Sequence, residues 1–400
     1  MLYNDDCLIH EKKEFSKESL LLRKDKFGFN NLARMEIFLW DLEIYMQIQA
    51  ILNDKITLKG GAAAQFYLPI ENQRTSVDID LIAEISEKEL SEAIKEIETK
   101  FNGYDRLFKF RAHKPKSPKT NLPLKTYFID VPSAIEEGGI QQIKCEFFFL
   151  ENAEINKVTS PELFACETSL TYNILPLNSL IGDKLTTLGP NTIGIQDDRS
   201  DEQIKQVYDL IELIEHNIDK IDLQKVKEYY QKRAKPESDD REIKYDFSEF
   251  INDAINFIDR YRFLDINKNK ELENQVNNFQ SLYLRKRVNR HNSGWAIVSR
   301  KLSLFLNFLR AEKSSVKPEI NSFKKALTSS SDLLFSEYTG KEKSDKTNSL
   351  KDKLIAEFGS TTSVSERILK GKTLQRIFWE IISQENSDDV TEFIEKNKSD

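Results

Sequence analysis

The chain is poor in cysteine and histidine. Cys7, Cys145 and Cys166 are the only cysteines among 400 residues, and their spacing matches neither a disulfide framework nor a thiolate metal site. That usage fits a reducing compartment, so a cytoplasmic location is expected. His10, His113, His216 and His291 are scattered, which argues against a histidine-built metal cluster. No apolar run approaches the roughly 20 residues that cross a bilayer, so no membrane partner is expected. The N-terminus carries Asp5 and Asp6 and lacks the apolar core of a signal peptide. Positive charge is not in excess either. The formal net charge is -7, so any nucleic acid must be met by local patches. Apolar side chains, in contrast, make up 39% of the chain and include 25 phenylalanines, enough for substantial cores in two or three domains.

Periodicity organises the chain. Residues 1–28 are polar and read as a peripheral segment. Asn31 to Leu52 has helical spacing of Leu32, Ile37, Phe38, Leu42, Tyr45 and Ile48. Ile56 to Leu58 and Val77 to Ala83 read as strands, and Glu87 to Phe101 as an amphipathic helix. Lys125 to Val131 and Gln142 to Leu150 read as a hairpin pair joined by Glu136-Glu137-Gly138-Gly139. Beyond Pro161 no strand pattern is convincing. The stretch 234–244 reads as a linker. Helices follow over Phe247–Arg262, Glu271–Arg290, Ser293–Arg310, Pro318–Tyr338, Leu350–Phe358 and Ser363–Gln384, with Thr339 to Lys351 as a polar loop. The expectation is a catalytic α/β unit over 1–233, with its core at 31–215, followed by a helical bundle over 245–400.

The chemistry concentrates in two short stretches. Lys59-Gly60-Gly61 stands between the apolar run Ile56 to Leu58 and a small-residue helix candidate, Ala62 to Leu68. A glycine turn entering a helix can present bare backbone N–H groups to phosphate. Further on, Arg74-Thr75-Ser76-Val77-Asp78-Ile79-Asp80 places two carboxylates at i and i+2 of a strand, hence on one face. Oxygen ligands on one face suit hard divalent cations. A phosphate cradle beside paired carboxylates points to metal-dependent chemistry on a nucleotide.

Lys59-Gly60-Gly61 followed by Arg74, Ser76, Asp78, Asp80 and Leu81 resembles the AbiEii family of nucleotidyltransferases, the toxin half of abortive-infection toxin–antitoxin pairs. The resemblance covers about residues 30–215. It implies an α+β fold: a polymerase-β-like nucleotidyltransferase domain with a mixed sheet, here joined to an all-α helical bundle. It also implies an NTP as substrate, Mg²⁺ as cofactor and a cognate antitoxin as partner. Lys59, Gly60, Gly61 and Ser76 would then lie at the nucleotide. Relatives place a hydroxyl next to or within the glycine pair. This chain has Gly61 and Ala62 there, so the backbone must do that work.

Transfer of a nucleoside monophosphate calls for three carboxylates around two Mg²⁺ ions. Asp78 and Asp80 supply two. Glu146, in Lys144-Cys145-Glu146-Phe147, is the leading third, because an unpaired carboxylate in an apolar strand is costly to bury. Relatives carry Asp at the matching position. Asp130 is the substitute, since strand alternation alone cannot choose the face. Lys184 falls inside the apolar stripe of Leu177, Leu180, Ile181, Leu185 and Leu188, where a lysine wants an anion such as a triphosphate; its competing role is to snorkel to water. The resemblance favours the first through Asp183-Lys184-Leu185. It likewise selects Asp209 in Tyr208-Asp209-Leu210, with Arg199 as its upstream arginine. On the residues alone, Asp209 reads as a surface partner of Lys205 one turn back.

Two stretches hold no acid. One runs from Arg106 to Ile129 with Arg106, Lys109, Arg111, Lys114, Lys116, Lys119 and Lys125. The other runs from Asn274 to Ala311 with Arg285, Lys286, Arg287, Arg290, Arg300, Lys301 and Arg310, interleaved with Tyr283 and Trp295. Cations among aromatics suit RNA. Arg285, Lys286, Arg287 and Arg290 are the candidate RNA contacts, against an ordinary solvated face. The resemblance names tRNA ends as acceptors for some relatives. Competing expectations are a small-molecule, antibiotic-type nucleotidyltransferase and a non-catalytic nucleotide- or partner-binding protein on the same scaffold.

Overall fold

A computed structural model describes residues 2–114, 123–311, 316–384 and 387–398. The fold is α+β. Among the described residues one mixed sheet has seven strands: β1 (Ile56–Lys59), β2 (Asp78–Ala83), β3 (Phe110–Ala112), β4 (Leu124–Pro132), β5 (Ile140–Phe149), β6 (Asn156–Thr159) and β7 (Thr171–Ile174). Their order is β3-β4-β5-β2-β1-β7-β6. The β2–β5 and β1–β7 pairs are parallel, and β1–β2, β3–β4, β4–β5 and β6–β7 are antiparallel. Helices α1 (Lys17–Phe27), α2 (Leu32–Leu52), α3 (Gly60–Ala64), α4 (Glu87–Phe101), α5 (Leu177–Leu185), α6 (Ser200–Asn217) and α7 (Leu223–Asp240) belong to the sheet-bearing part. The rest is helical: α8 (Phe247–Ile258), α9 (Lys270–Tyr283), α10 (Asn292–Arg310), α11 (Val316–Asp332), α12 (Gly340–Phe358), α13 (Glu366–Leu369), α14 (Leu374–Ile382) and α15 (Ser387–Asn397).

Local sequence explains the central elements. In β5, Ile143, Cys145 and Phe147 are buried while Lys144 and Glu146 keep access to solvent, the period-2 pattern of a strand covered on one side. Helix α4 starts at a capping box in which Ser86 and Glu89 exchange side-chain and backbone hydrogen bonds. Helix α2 is buried nearly all round, because it packs on β1, β2 and β5 while α1 and the preceding segment cover its other side. A single apolar core runs from Phe15 to Ile394.

Several expectations need correction. The first 28 residues are not merely peripheral: His10, Glu14, Phe15, Leu20 and Arg23 are buried against α2 and its neighbours. β7 lies beyond Pro161, where no strand was expected. It is only four residues long and fully paired, too short for alternation to show. Residues 234–240, read as linker, continue α7 through Pro236, with Ala234 and Ser238 buried. The polar stretch from Thr339 to Lys351, read as a loop, is the first part of α12. Lys116 and Lys119 lie outside the described residues.

Candidate active site

The glycine turn and the acidic strand meet at the centre of the sheet. Lys59 ends β1 directly opposite Asp80 of β2. The next residue, Gly60, has φ +69, which favours glycine. A Cβ there would stand 2.1 Å from Asp80 Oδ2, so a side chain at 60 and a carboxylate at 80 exclude each other. A Cβ on Gly61 would stand 2.7 Å from Arg74 Nη2 and 3.1 Å from Ser76 Oγ. The two glycines thus let the chain turn tightly over both Asp80 and the Arg74–Ser76 approach to β2.

Register places one further acid beside Asp80. Asp78 pairs with Lys144 and Asp80 with Glu146 across the parallel β2–β5 ladder, so all four side chains share one face. Asp130 pairs with Gln142, four positions along β4 from Thr126, the partner of Glu146. Its carboxylate is taken by Arg111 at 2.6 Å and Arg106 at 3.0 Å. Glu146 is therefore the acid next to Asp80.

The expected convergence of Asp78, Asp80 and Glu146 is not formed, however. Among the described residues no three Asp, Glu, His or Cys side chains are gathered into a metal-ion site. Glu146 turns instead to Lys144 Nζ at 2.9 Å and to Thr126 Oγ1 at 3.1 Å. Burial raises its pKa, but the Lys144 charge prevails and holds it below the ordinary value. Asp80 shows the opposite balance. Burial and the neighbouring Glu146 charge push its carboxyl up to about 6, against the pull of Lys59. Hard oxygen donors on one face, with a carboxylate disfavoured in its charged form, fit a divalent cation held by Asp78 and Asp80.

Behind this face lies a buried ion cluster. Asp209 of α6 accepts two hydrogen bonds from Arg74, Nε at 2.7 Å and Nη2 at 2.6 Å, and one from Lys184 Nζ at 2.7 Å. Lys184 also donates to Gln206 at 3.1 Å. Burial favours the neutral acid, yet Arg74 and Lys184 hold the Asp209 carboxyl below its ordinary value. Asp209 is therefore not the surface partner of Lys205 that helix spacing suggested, and the anion that Lys184 meets here is Asp209. Lys59 similarly donates to Asp183 Oδ2 at 3.0 Å, and Arg233 of α7 reaches Asp183 Oδ1 at 3.3 Å. Arg199 pairs with exposed Glu202 instead of joining Asp209.

A profile of the AbiEii family, described as nucleotidyl transferase AbiEii toxin of a type IV TA system, matches residues 45–289. The chain belongs to the AbiEii family. It is a nucleotidyltransferase of the toxin–antitoxin class. No curated protein matches it. Among solved structures it is similar to MenT4, a nucleotidyltransferase toxin from Mycobacterium tuberculosis H37Rv, at 13% identity and TM-score 0.40, covering 76% of this chain and 97% of that one. It is also similar to a candidate nucleotidyltransferase from H. pylori at 13% identity and TM-score 0.37, covering 68% of this chain and 94% of the other.

The AbiEii-family chain carries one acid near the site that sequence reasoning missed. Asp41 of α2 is buried, and neither carboxylate oxygen has a hydrogen-bond partner among the described residues. Burial first, then the charges of Asp78 and Asp80, push its pKa well above the ordinary value. The only signal in the sequence was a carboxylate inside the apolar run Phe38-Leu39-Trp40-Asp41-Leu42.

The basic stretches are less available than their composition suggested. Arg285 is buried, donates to the Ile70 carbonyl and lies over Phe27 and Phe29. Arg290 pairs with buried Glu212, and Lys301 with Glu215. Trp295 is fully buried. Of the four candidate RNA contacts, Lys286 and Arg287 are exposed. In the first stretch, Arg106 and Arg111 serve Asp130, Lys109 faces Glu98 and Lys125 pairs with Glu87. No helix of the described residues is long and apolar enough to cross a membrane.

Proposed function

We propose that this chain transfers a nucleoside monophosphate from an NTP to RNA, with tRNA ends as the acceptor, as a toxin that restrains growth or aborts infection until a cognate antitoxin opposes it. An acceptor hydroxyl attacks the α-phosphorus and forms a new P–O bond, the bond from that phosphorus to the leaving pyrophosphate breaks, and the hydroxyl proton passes to Glu146 or to water. The observation that carries the reading is the shared face of Asp78, Asp80, Lys144 and Glu146 under the Gly60 turn. Mg²⁺ held by Asp78 and Asp80 would neutralise charge on the transferring phosphoryl group. Gly60 and Gly61 let the turn pack directly on Asp80 and Arg74, where any side chain would collide, and so keep its backbone against the acidic face. Lys59 and Lys144 add fixed positive charge at the rim, so preorganised electrostatics supply most of the assistance.

A small-molecule acceptor is the second reading. It is favoured by the internal pairing of Arg285 and Arg290, which shrinks the patch available to RNA. Incubation with each labelled NTP, Mg²⁺ and total RNA decides between them. Label in RNA-sized product supports the first reading and label confined to small solutes supports the second. The absence of any label in either fraction contradicts both.

A further inference from the structure

Two cations beside the site lack a carboxylate. Arg34 stands in the first turn of α2 and Lys205 in the first half of α6. Sequence reading assigned Arg34 nothing and made Lys205 the partner of Asp209. In the structure both are half-buried and both lie against the ring of Tyr283, at the end of α9. The Arg34 guanidinium is 4.3 Å from the ring centroid and Lys205 Nζ is 5.2 Å away. Arg74 approaches the same ring at 5.9 Å. Among the described residues neither Arg34 nor Lys205 forms an ion pair, whereas Arg74 and Lys184 share Asp209.

The local charge is lopsided. Arg74 and Lys184 share the buried carboxylate of Asp209, and Arg34 and Lys205 stand on the same ring as Arg74. The first turn of α2 carries no acid; the Arg34 N–H is capped by Asn31 Oδ1 at 3.1 Å, and the helix dipole adds positive potential there. The ring holds the two side chains without neutralising them, since cation–π attraction leaves the charge available. The group is also tied to the acidic strand. The Thr75 N–H donates to the Tyr283 carbonyl at 3.1 Å, and Thr75 lies three residues before Asp78.

We propose that Arg34 and Lys205, gathered on Tyr283, form a phosphate-binding site beside the Arg74–Asp209 cluster, tied to the acidic strand through the Thr75–Tyr283 hydrogen bond. It rests on the nucleotidyl-transfer reading for the source of the phosphate. That source is the β- and γ-phosphates of the NTP or a backbone phosphate of the acceptor strand. The cations would hold the oxyanion, while Asp78 and Asp80 would hold the divalent cation.

The test uses the full chain and inorganic tripolyphosphate as probe, measured by calorimetry at low salt. Arg34→Gln and Lys205→Gln should each weaken tripolyphosphate binding about tenfold, as expected for loss of one charge-assisted contact. Arg34→Lys and Lys205→Arg should retain most of the affinity. Lys88→Gln, at an exposed lysine of α4, should change nothing. Circular dichroism and thermal midpoints confirm that each variant is folded. If the NTP is the source, the KM for NTP rises about tenfold with the KM for RNA unchanged; if the acceptor is the source, the reverse holds. Variants that bind tripolyphosphate and RNA like the wild type overturn the proposal. The probe needs no turnover. An inactive protein whose binding depends on both residues keeps this site and removes the transfer reading, while an active one indifferent to both does the opposite.

Discussion

At the scale of single residues, Asp80 and Asp209 show how the same side chain serves two purposes. Burial and the Glu146 charge disfavour the charged form of Asp80 and push its carboxyl up to about 6. Its folded pKa lies above the unfolded one, so its contribution to stability is present in acid and is lost as pH rises through about 6. Activity runs the other way, because the carboxylate is the form that binds a cation. The kcat/KM for NTP should fall about tenfold per pH unit below pH 6, measured in an initial-rate pH profile. A rate that stays flat down to pH 5 would contradict this role. Asp209, held below its ordinary pKa by Arg74 and Lys184, stabilises the fold above the carboxylate range and loses that contribution as pH falls. Asp209→Asn leaves two buried cations uncompensated and should cost about 3–5 kcal/mol in denaturant unfolding. A loss below 1 kcal/mol would show that the cluster is not as dry as the structure has it.

At the scale of elements, the strand that carries the acids was readable because Asp78 and Asp80 alternate with Val77, Ile79 and Leu81. Glu146 was readable as a candidate, but its face was not. Only the β2–β5 register sets it beside Asp80 and leaves Asp130 to Arg106 and Arg111. Helix α4 was legible from Glu87 to Phe101, although its Ser86–Glu89 cap was not read from the sequence. Ser86→Ala should lower stability by about 1 kcal/mol and leave turnover unchanged, as checked by thermal unfolding alongside an activity assay. β7 and the first half of α12 were not legible. The former is too short for a period, and the latter is a polar helix whose outer face resembles a loop in composition. Asp41 and the Arg34–Tyr283–Lys205 group were invisible for a different reason. Each depends on elements far apart in sequence being packed together, and no spacing along the chain encodes that.

At the scale of the molecule, the helices after α7 are tied into the catalytic region. Thr75 bonds to Tyr283, Phe29 pairs its backbone with Arg285, and Arg290 meets Glu212 of α6. The family match accordingly extends to residue 289, through α9 and the turn after it. The second acid-free stretch is thus largely scaffold, and Lys286 and Arg287 remain as its outward charges. Reversing both, Lys286→Glu with Arg287→Glu, should weaken RNA binding and flatten its salt dependence while leaving NTP affinity intact, measured by titration at several ionic strengths. Unchanged RNA affinity and salt slope would remove this edge from the acceptor path.

The central claim is that Asp78 and Asp80 bind the cation that promotes nucleotidyl transfer. Single-turnover label transfer from NTP to acceptor, followed over a Mg²⁺ titration for the wild type, Asp78→Asn and Asp80→Asn, tests it most directly. The wild type should show saturable Mg²⁺ dependence, and each folded variant at least a hundredfold loss, on the order of 3 kcal/mol. Variants that transfer label at the wild-type rate with the wild-type Mg²⁺ midpoint would contradict it.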